Sequence, residues 1–265
     1  MKQKISDSEL KKGIEEGKVI AMNCFTLTDS FVKNLEIVVK TILEFYKKEE
    51  LLPSIFSSVQ ELINWTSLTN KRYIYYKQND IELTDEATFL EVESKFLATI
   101  NQINAESYRN TIIENKMYIH TTFEHSDESL NIKVYNYSEN VQNQEDYLRN
   151  YLSDAMNYKS VLEYFDTHAE DPQGKNLGLA FSIIILKEAG LRPELMRISN
   201  LGTKGSFSKI EIPFNNTYIS LRDKILNDEK IVPFERKPLV PEKFQQELDE
   251  RIRRMFPEVV ELYES

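Results

Sequence analysis

The sequence of 265 residues has little of several residue types, and each scarcity excludes something. A single cysteine, Cys24, cannot form an internal disulfide. With 33 Lys and Arg against 43 Asp and Glu, the net charge of −10 argues against nucleic acid or an anionic membrane as a partner. No apolar run reaches the roughly 18 residues of a membrane span. The opening MKQKISDSELKKG lacks the apolar core of a signal peptide, so we expect a cytoplasmic protein.

Glycine is also scarce, and its distribution is informative. Only seven glycines occur, and five of them lie close together: Gly174, Gly178, Gly190, Gly202 and Gly205. Glycine is required where the backbone adopts positive φ or approaches another group closely, so these requirements are concentrated in one region. Half of the eight prolines follow residue 230. We therefore predict one domain over residues 1–214 and a C-terminal extension over 215–265.

Hydrophobic periodicity predicts the order of the secondary structure elements. Helices are predicted over residues 30–50, 54–70, 85–115 and 177–189. Strands are predicted over 18–25, 71–77, 116–124 and 130–137, followed by a closing hairpin of ELMRISN and SFSKIEIPF. Residues 143–168 read as polar and irregular. The predicted fold class is a two-layer α/β (α+β) sandwich with a mixed or antiparallel sheet and helices on one face.

Local signals predict where two of these helices begin and end. Thr28 or Asp29 is the expected N-cap of the first, and Gly190 the expected C-terminal stop of the last. The three histidines, His120, His125 and His168, are widely separated in the sequence and are most simply hydrogen-bonded or surface residues. With one cysteine they form no zinc motif.

Four stretches resemble the sequence boxes of the GHKL superfamily, which contains the histidine kinases, the gyrases and related ATPases. QGKNLGLAFSIII resembles its second glycine-rich box, G-x-G-L-G-L. VLEYFDTHAED resembles the phenylalanine box, and GTKGSFSKIEIP the closing glycine-threonine turn with the final strand. SVQELINWTSLTN lies where the N-box helix is expected. The resemblance spans about residues 30 to 214 and implies a histidine kinase-like ATPase fold.

The resemblance implies a phosphate-binding loop at the start of the helix at 177–189. Gly174, Lys175, Asn176 and Gly178 are the implied contacts, with Thr203 in the closing turn. The physical chemistry agrees, since the unpaired N–H groups and the dipole of a helix N-terminus favour an anion. The alternative interpretation is a tight turn that leads into a buried helix, because LAFSIIIL is apolar enough for a core.

The resemblance also implies roles for three further residues. Asn136 stands at the adenine-binding position, Glu61 is the implied catalytic base, and Asn64 is the candidate ligand for a magnesium ion bound with ATP. A carboxylate on a helix can equally be a solvated surface group.

The sequence departs from the family pattern at these boxes. The N-box asparagine should follow Glu61 by four residues, but Trp65 is there, and an indole cannot ligate magnesium. Asn64 is one residue early, about 100° around the helix. Ser138 and Asn140 replace both glycines of the first glycine box. We expect Trp65 to be at least half buried beside the magnesium position.

Three hypotheses for function follow. The first is a degenerate GHKL-type domain that acts as a non-catalytic regulatory module through a protein partner, with a homodimer as a further option. The second is an ATP-binding ATPase or protein kinase of the same superfamily with diverged boxes. The third is an unrelated α/β protein whose glycines are structural. In the C-terminal extension, residues 242–255 are predicted to form an amphipathic helix that packs on its own domain or contacts a partner.

Overall fold

A computed structural model describes residues 7–81, 86–100, 105–136, 142–168, 177–200, 206–220, 222–223 and 227. The chain separates into two compact units, one of residues 11–218 and one of residues 1–10 with 219–265. In the second unit, Asp223 accepts hydrogen bonds from the backbone N–H and the hydroxyl of Ser220, at 3.1 and 2.7 Å.

The chain is an α+β protein with a five-stranded antiparallel sheet. Its strands are β1 (Ile20–Cys24), β2 (Ile119–His125), β3 (Ser129–Asn136), β4 (Met196–Asn200) and β5 (Ser206–Pro213). Their order across the sheet is β1-β2-β3-β5-β4, so β3 is the central strand. The predicted mixed or antiparallel pairing is therefore confirmed in its antiparallel form.

The described residues also contain eight α-helices. They are α1 (Asp7–Glu15), α2 (Asp29–Phe45), α3 (Leu52–Gln78), α4 (Glu86–Ile100), α5 (Ala105–Glu114), α6 (Gln142–Ala155), α7 (Val161–Thr167) and α8 (Leu177–Glu188). A single 3-10 turn, Glu49–Leu51, separates α2 from α3.

The core lies between the sheet and α3. Along β3, Leu130, Ile132, Val134 and Asn136 are buried, whereas the residues between them are only partly buried. This alternation places one face of the strand toward the helices, because successive side chains of a strand point to opposite faces. Helix α3 packs against β2 and β3, and α2 and α8 pack against α3. The arrangement is consistent with the predicted two-layer sandwich.

The prediction of a strand over residues 71–77 is wrong, because α3 continues without a break to Gln78. The stretch KRYIYYK has the β-branched and aromatic composition of a strand, but tertiary packing overrides that preference. Ile74 lies in a buried cluster with Tyr108, Ile112 and Met117. Arg72 is paired with a carboxylate on α4. In a helix, side chains two residues apart point in different directions, so Arg72 can contact α4 while Ile74 packs in the buried cluster.

The description of residues 143–168 as irregular is also wrong, since α6 and α7 lie there. Leu148, Leu152 and Ala155 are buried at helical spacing on α6, a short stripe among mostly polar residues. Ser160 caps α7 and accepts a hydrogen bond from the Glu163 N–H at 3.2 Å. The polar composition of this segment therefore reflects solvent-facing helix surface.

Both predicted helix boundary signals are confirmed. The Thr28 hydroxyl caps α2 by accepting a hydrogen bond from the Phe31 N–H at 3.2 Å. Gly190 follows α8 with a φ of 72°, the left-handed conformation expected of a terminating glycine.

Several predictions fall on residues that the structure does not describe. They concern Ser138 and Asn140 of the first glycine box, Gly174, Lys175 and Asn176 of the phosphate-binding loop, Thr203 of the closing turn and the C-terminal helix at 242–255. In the described part of the chain, no helix has both the length and the apolar character needed to cross a membrane.

Candidate functional site

A cavity of about 420 Å³ lies between α3 and the first turn of α8. Helix α3 contributes most of its wall, with Glu61, Asn64, Trp65, Ser67, Leu68 and Lys71. Thr26 and Leu27 of the loop after β1 and Gly178 and Leu179 of α8 complete it. The volume falls within the range of small-molecule pockets.

Helical periodicity explains why these residues of α3 share one cavity. Glu61, Asn64, Trp65, Leu68 and Lys71 are spaced at i, i+3, i+4, i+7 and i+10, which places them on one face of a continuous helix. Asn64 and Trp65 are adjacent in the sequence and therefore lie about 100° apart around the helix axis. Both nevertheless line the cavity.

Glu61 lies against the first turn of α8. A Cβ atom added at Gly178 would overlap the Glu61 carboxylate, so this helix position accepts only glycine while the carboxylate remains there. Burial raises the pKa of Glu61, and hydrogen bonding with Asn64 acts in the opposite direction as the smaller effect. The family resemblance implied one site for Glu61, Asn64 and Gly178, and all three line this cavity.

Trp65 is the largest side chain in the wall and is only 4% exposed, so the prediction that it is at least half buried is confirmed. Its indole Nε1 is buried, and no acceptor in the described part of the chain lies within hydrogen-bonding distance. A buried N–H without an acceptor is costly, and buried indole groups usually find a partner.

Lys71 is a cavity residue that sequence reasoning missed. It is partly buried, and burial lowers its pKa. No carboxylate of the described residues lies within ion-pairing distance of its ammonium group. Extending the N-box helix by three turns beyond Glu61 would have placed Lys71 on the same face. The assignment of residues 71–77 to a strand concealed that relation.

Asn136 does not line this cavity. It is buried at the end of β3, 1% exposed, on the face of the sheet that meets the helices. Its neighbours across the sheet are Ile119 on β2 and Ser206 on β5. The other predicted contacts, Gly174, Lys175, Asn176 and Thr203, lie outside the described residues.

The three histidines are all hydrogen-bonded, as expected from the sequence. The His120 ring pairs with the Asn23 side chain at 2.6 Å, and His125 with the Tyr46 hydroxyl at 2.9 Å. His168 pairs with the backbone carbonyl of Tyr164 at 3.0 Å. Within the described ranges, no three His, Cys, Asp or Glu side chains are grouped so that they could hold a metal ion.

The contact between Glu61 and Gly178 leads to a stability prediction. Glycine to alanine within a helix usually stabilises a protein by about 1 kcal/mol. Here we expect Gly178→Ala to lack this gain and to stay close to the stability of the native protein, because the new methyl group would have to displace the Glu61 carboxylate. Urea denaturation followed by circular dichroism measures the change.

The matched control for this prediction is the double variant Glu61→Ala with Gly178→Ala. Removal of the carboxylate leaves space for the methyl group, so the double variant should be more stable than Gly178→Ala alone. A single Gly178→Ala variant that gains the full stabilisation of about 1 kcal/mol would contradict the contact.

The cavity offers groups suited to binding. It contains an acceptor in Glu61, a cation in Lys71, a hydroxyl in Ser67 and an apolar wall in Trp65 and Leu68. In comparisons with known proteins, no family model, no curated protein and no solved structure matches this chain.

Proposed function

We propose that this chain is a cytoplasmic, non-catalytic regulatory binding module built on a degenerate GHKL-type, histidine kinase-like ATPase fold. The observation that carries the proposal is the composition of the cavity between α3 and α8. Where the resemblance implies a magnesium-bridged triphosphate, the wall presents a buried indole and a carboxylate.

The Glu61 carboxylate supports this proposal on electrostatic grounds. A helix N-terminus attracts anions through its unpaired N–H groups and its dipole. The carboxylate of Glu61 lies against Gly178, in the first turn of α8. A phosphate at this turn would meet a like charge at short range, which opposes binding.

The donor set supports it on the grounds of metal chemistry. Magnesium prefers near-octahedral coordination by oxygen ligands and is usually held by carboxylates together with phosphates. Trp65 offers no lone pair, so Glu61 and Asn64 are the implied N-box site residues that present oxygen atoms to the cavity, and the Glu61 carboxylate lies against α8. We infer that this pair suits a magnesium ion bound with ATP less well than the family pattern does.

The arrangement of elements supports the assignment of the fold. An antiparallel sheet is crossed by the helix that carries Glu61, and α8 packs beside that helix. The resemblance to the superfamily requires the same two helices to be neighbours, since the N-box and the second glycine box share one site.

Nucleotide binding tests the proposal. We expect ATP and ADP, with and without magnesium, to leave the thermal unfolding midpoint unchanged and to show no hydrolysis. A ligand at 100 times its dissociation constant would add about 2.7 kcal/mol of stability, which differential scanning fluorimetry resolves easily.

The alternative is an ATP-binding ATPase or protein kinase with diverged N and first glycine boxes. The cavity beside α8, which Glu61, Asn64 and Gly178 line together, favours it. Micromolar affinity for magnesium-ATP, measured by calorimetry, would establish the alternative and overturn the proposal.

A non-catalytic module acts through what it binds, so we propose a regulatory protein partner or a second copy of this chain. Light scattering at two protein concentrations tests the homodimer. If the mass remains that of a 31.1 kDa monomer at both concentrations, the homodimer is excluded and a different regulatory protein is the proposed partner.

A further inference from the structure

The cavity between α3 and α8 contains two opposite charges that do not neutralise each other. Glu61 and Lys71 both line it, and they are ten residues apart on one helix, about 15 Å along its axis. In the part of the chain that the structure describes, neither side chain has an ion-pair partner.

Both charges are partly removed from water. Both side chains are partly buried in the wall of the cavity. Removing a charge from water costs free energy unless a charge of opposite sign compensates it. A ligand that supplied both missing charges would recover that free energy at both ends of the cavity.

The wall between the two charges is suited to the body of a small organic molecule. Trp65 and Leu68 provide apolar surface, and Ser67 provides a hydroxyl. The indole N–H of Trp65 has no acceptor in the described ranges, although the side chain is 4% exposed. Apolar surface with a few placed polar groups is the usual composition of a small-molecule site.

We propose that this cavity binds a small linear zwitterion, whose anionic end pairs with Lys71 and whose cationic end pairs with Glu61. The chain between the two ends lies along Trp65 and Leu68. The inference rests on the proposed function in one respect: a module that does not hold a triphosphate in this cavity can use it for a different ligand.

The charges of the cavity favour a zwitterion over a simple anion or cation. An anion would pair with Lys71 but leave Glu61 without a counter-ion, with only the Asn64 amide and the first turn of α8 beside its carboxylate, and a cation would do the reverse. The separation of the two residues along α3 requires ligand charges that are several bonds apart. An α-amino acid, whose charges lie on adjacent atoms, cannot reach both.

Tryptophan fluorescence provides the test, because Trp65 is the only tryptophan in the chain and lines the cavity. The probes are γ-aminobutyrate, δ-aminovalerate and ε-aminocaproate, with caproate and hexylamine as singly charged counterparts. We expect at least one ω-amino acid to bind with an affinity about tenfold higher than either counterpart.

Two variants assign the ends of the ligand. Lys71→Met and Glu61→Gln should each lower the affinity for the best probe by about tenfold. Lys33→Met is the matched control, since Lys33 is exposed on α2 and does not line the cavity. Circular dichroism verifies that each variant is folded.

Caproate that binds as tightly as ε-aminocaproate would overturn the proposal, as would the absence of binding by every ω-amino acid at millimolar concentration. These results are distinct from failure of the proposed function. That function fails if the protein hydrolyses ATP or binds it with micromolar affinity, whatever the zwitterions do.

Discussion

Glu93→Gln should lower the free energy of unfolding by about 3–5 kcal/mol, because it leaves the Arg72 guanidinium buried without a counter-charge. The pair joins α3 to α4 through two hydrogen bonds, Nε to Oε2 at 2.7 Å and Nη2 to Oε1 at 2.6 Å. Its side chains are only 4% and 9% exposed, and the guanidinium lies 5.2 Å from the centre of the Phe96 ring. Urea denaturation followed by circular dichroism gives the change.

The matched control is Glu91→Gln on the same helix. Glu91 pairs with Lys95 at 2.6 Å, but both side chains are well exposed, and exposed pairs contribute little. This control should leave the unfolding midpoint in place. The double variant Arg72→Met with Glu93→Leu should recover most of the stability, since an apolar pair avoids the cost of desolvating two charges. Equal losses in Glu91→Gln and Glu93→Gln would contradict the importance of burial.

Trp65→Ala should lower the free energy of unfolding by about 3–5 kcal/mol, the cost of truncating a large buried aromatic side chain. Trp65 is 4% exposed and lies on α3, the helix that packs against β2, β3 and α8. Truncation would enlarge the adjoining cavity and remove contacts at the centre of the helical layer. Denaturation monitored by circular dichroism is required, because the variant contains no tryptophan.

Trp65→Phe is the conservative control for this prediction. Phenylalanine retains most of the apolar volume and removes only an N–H group that has no acceptor in the described residues. It should therefore be much more stable than Trp65→Ala. Loss of less than about 1 kcal/mol in Trp65→Ala would mean that the indole is not part of the core, which would remove a support of the proposed function.

Local sequence signals were sufficient where neighbouring residues decide the structure. The Thr28 cap depends on a hydroxyl and an N–H three residues apart, and the Gly190 stop depends on the positive φ of one residue. The strand β3 was recognised because Leu130, Ile132 and Val134 alternate with more polar residues.

Local signals failed where distant residues decide. The stretch at 71–77 has the composition of a strand, but Arg72 pairs with Glu93 and Ile74 packs on Tyr108 and Met117. These contacts are 21 to 43 residues away in the sequence, beyond any local window. The helix α6 was missed because most of its residues are polar and only a narrow stripe of them is buried.

The sequence by itself predicted the α+β class and a mixed or antiparallel sheet, because hydrophobic periodicity encodes them, and the family resemblance implied that Glu61, Asn64 and Gly178 share one site. Only the tertiary structure decided that α3 continues to Gln78 and thereby carries Lys71 into the cavity. It also decided that the Glu61 carboxylate lies against Gly178. Partial burial raises the pKa of Glu61 and lowers that of Lys71. Burial depends on how the whole fold packs, so no single segment of the sequence reveals it.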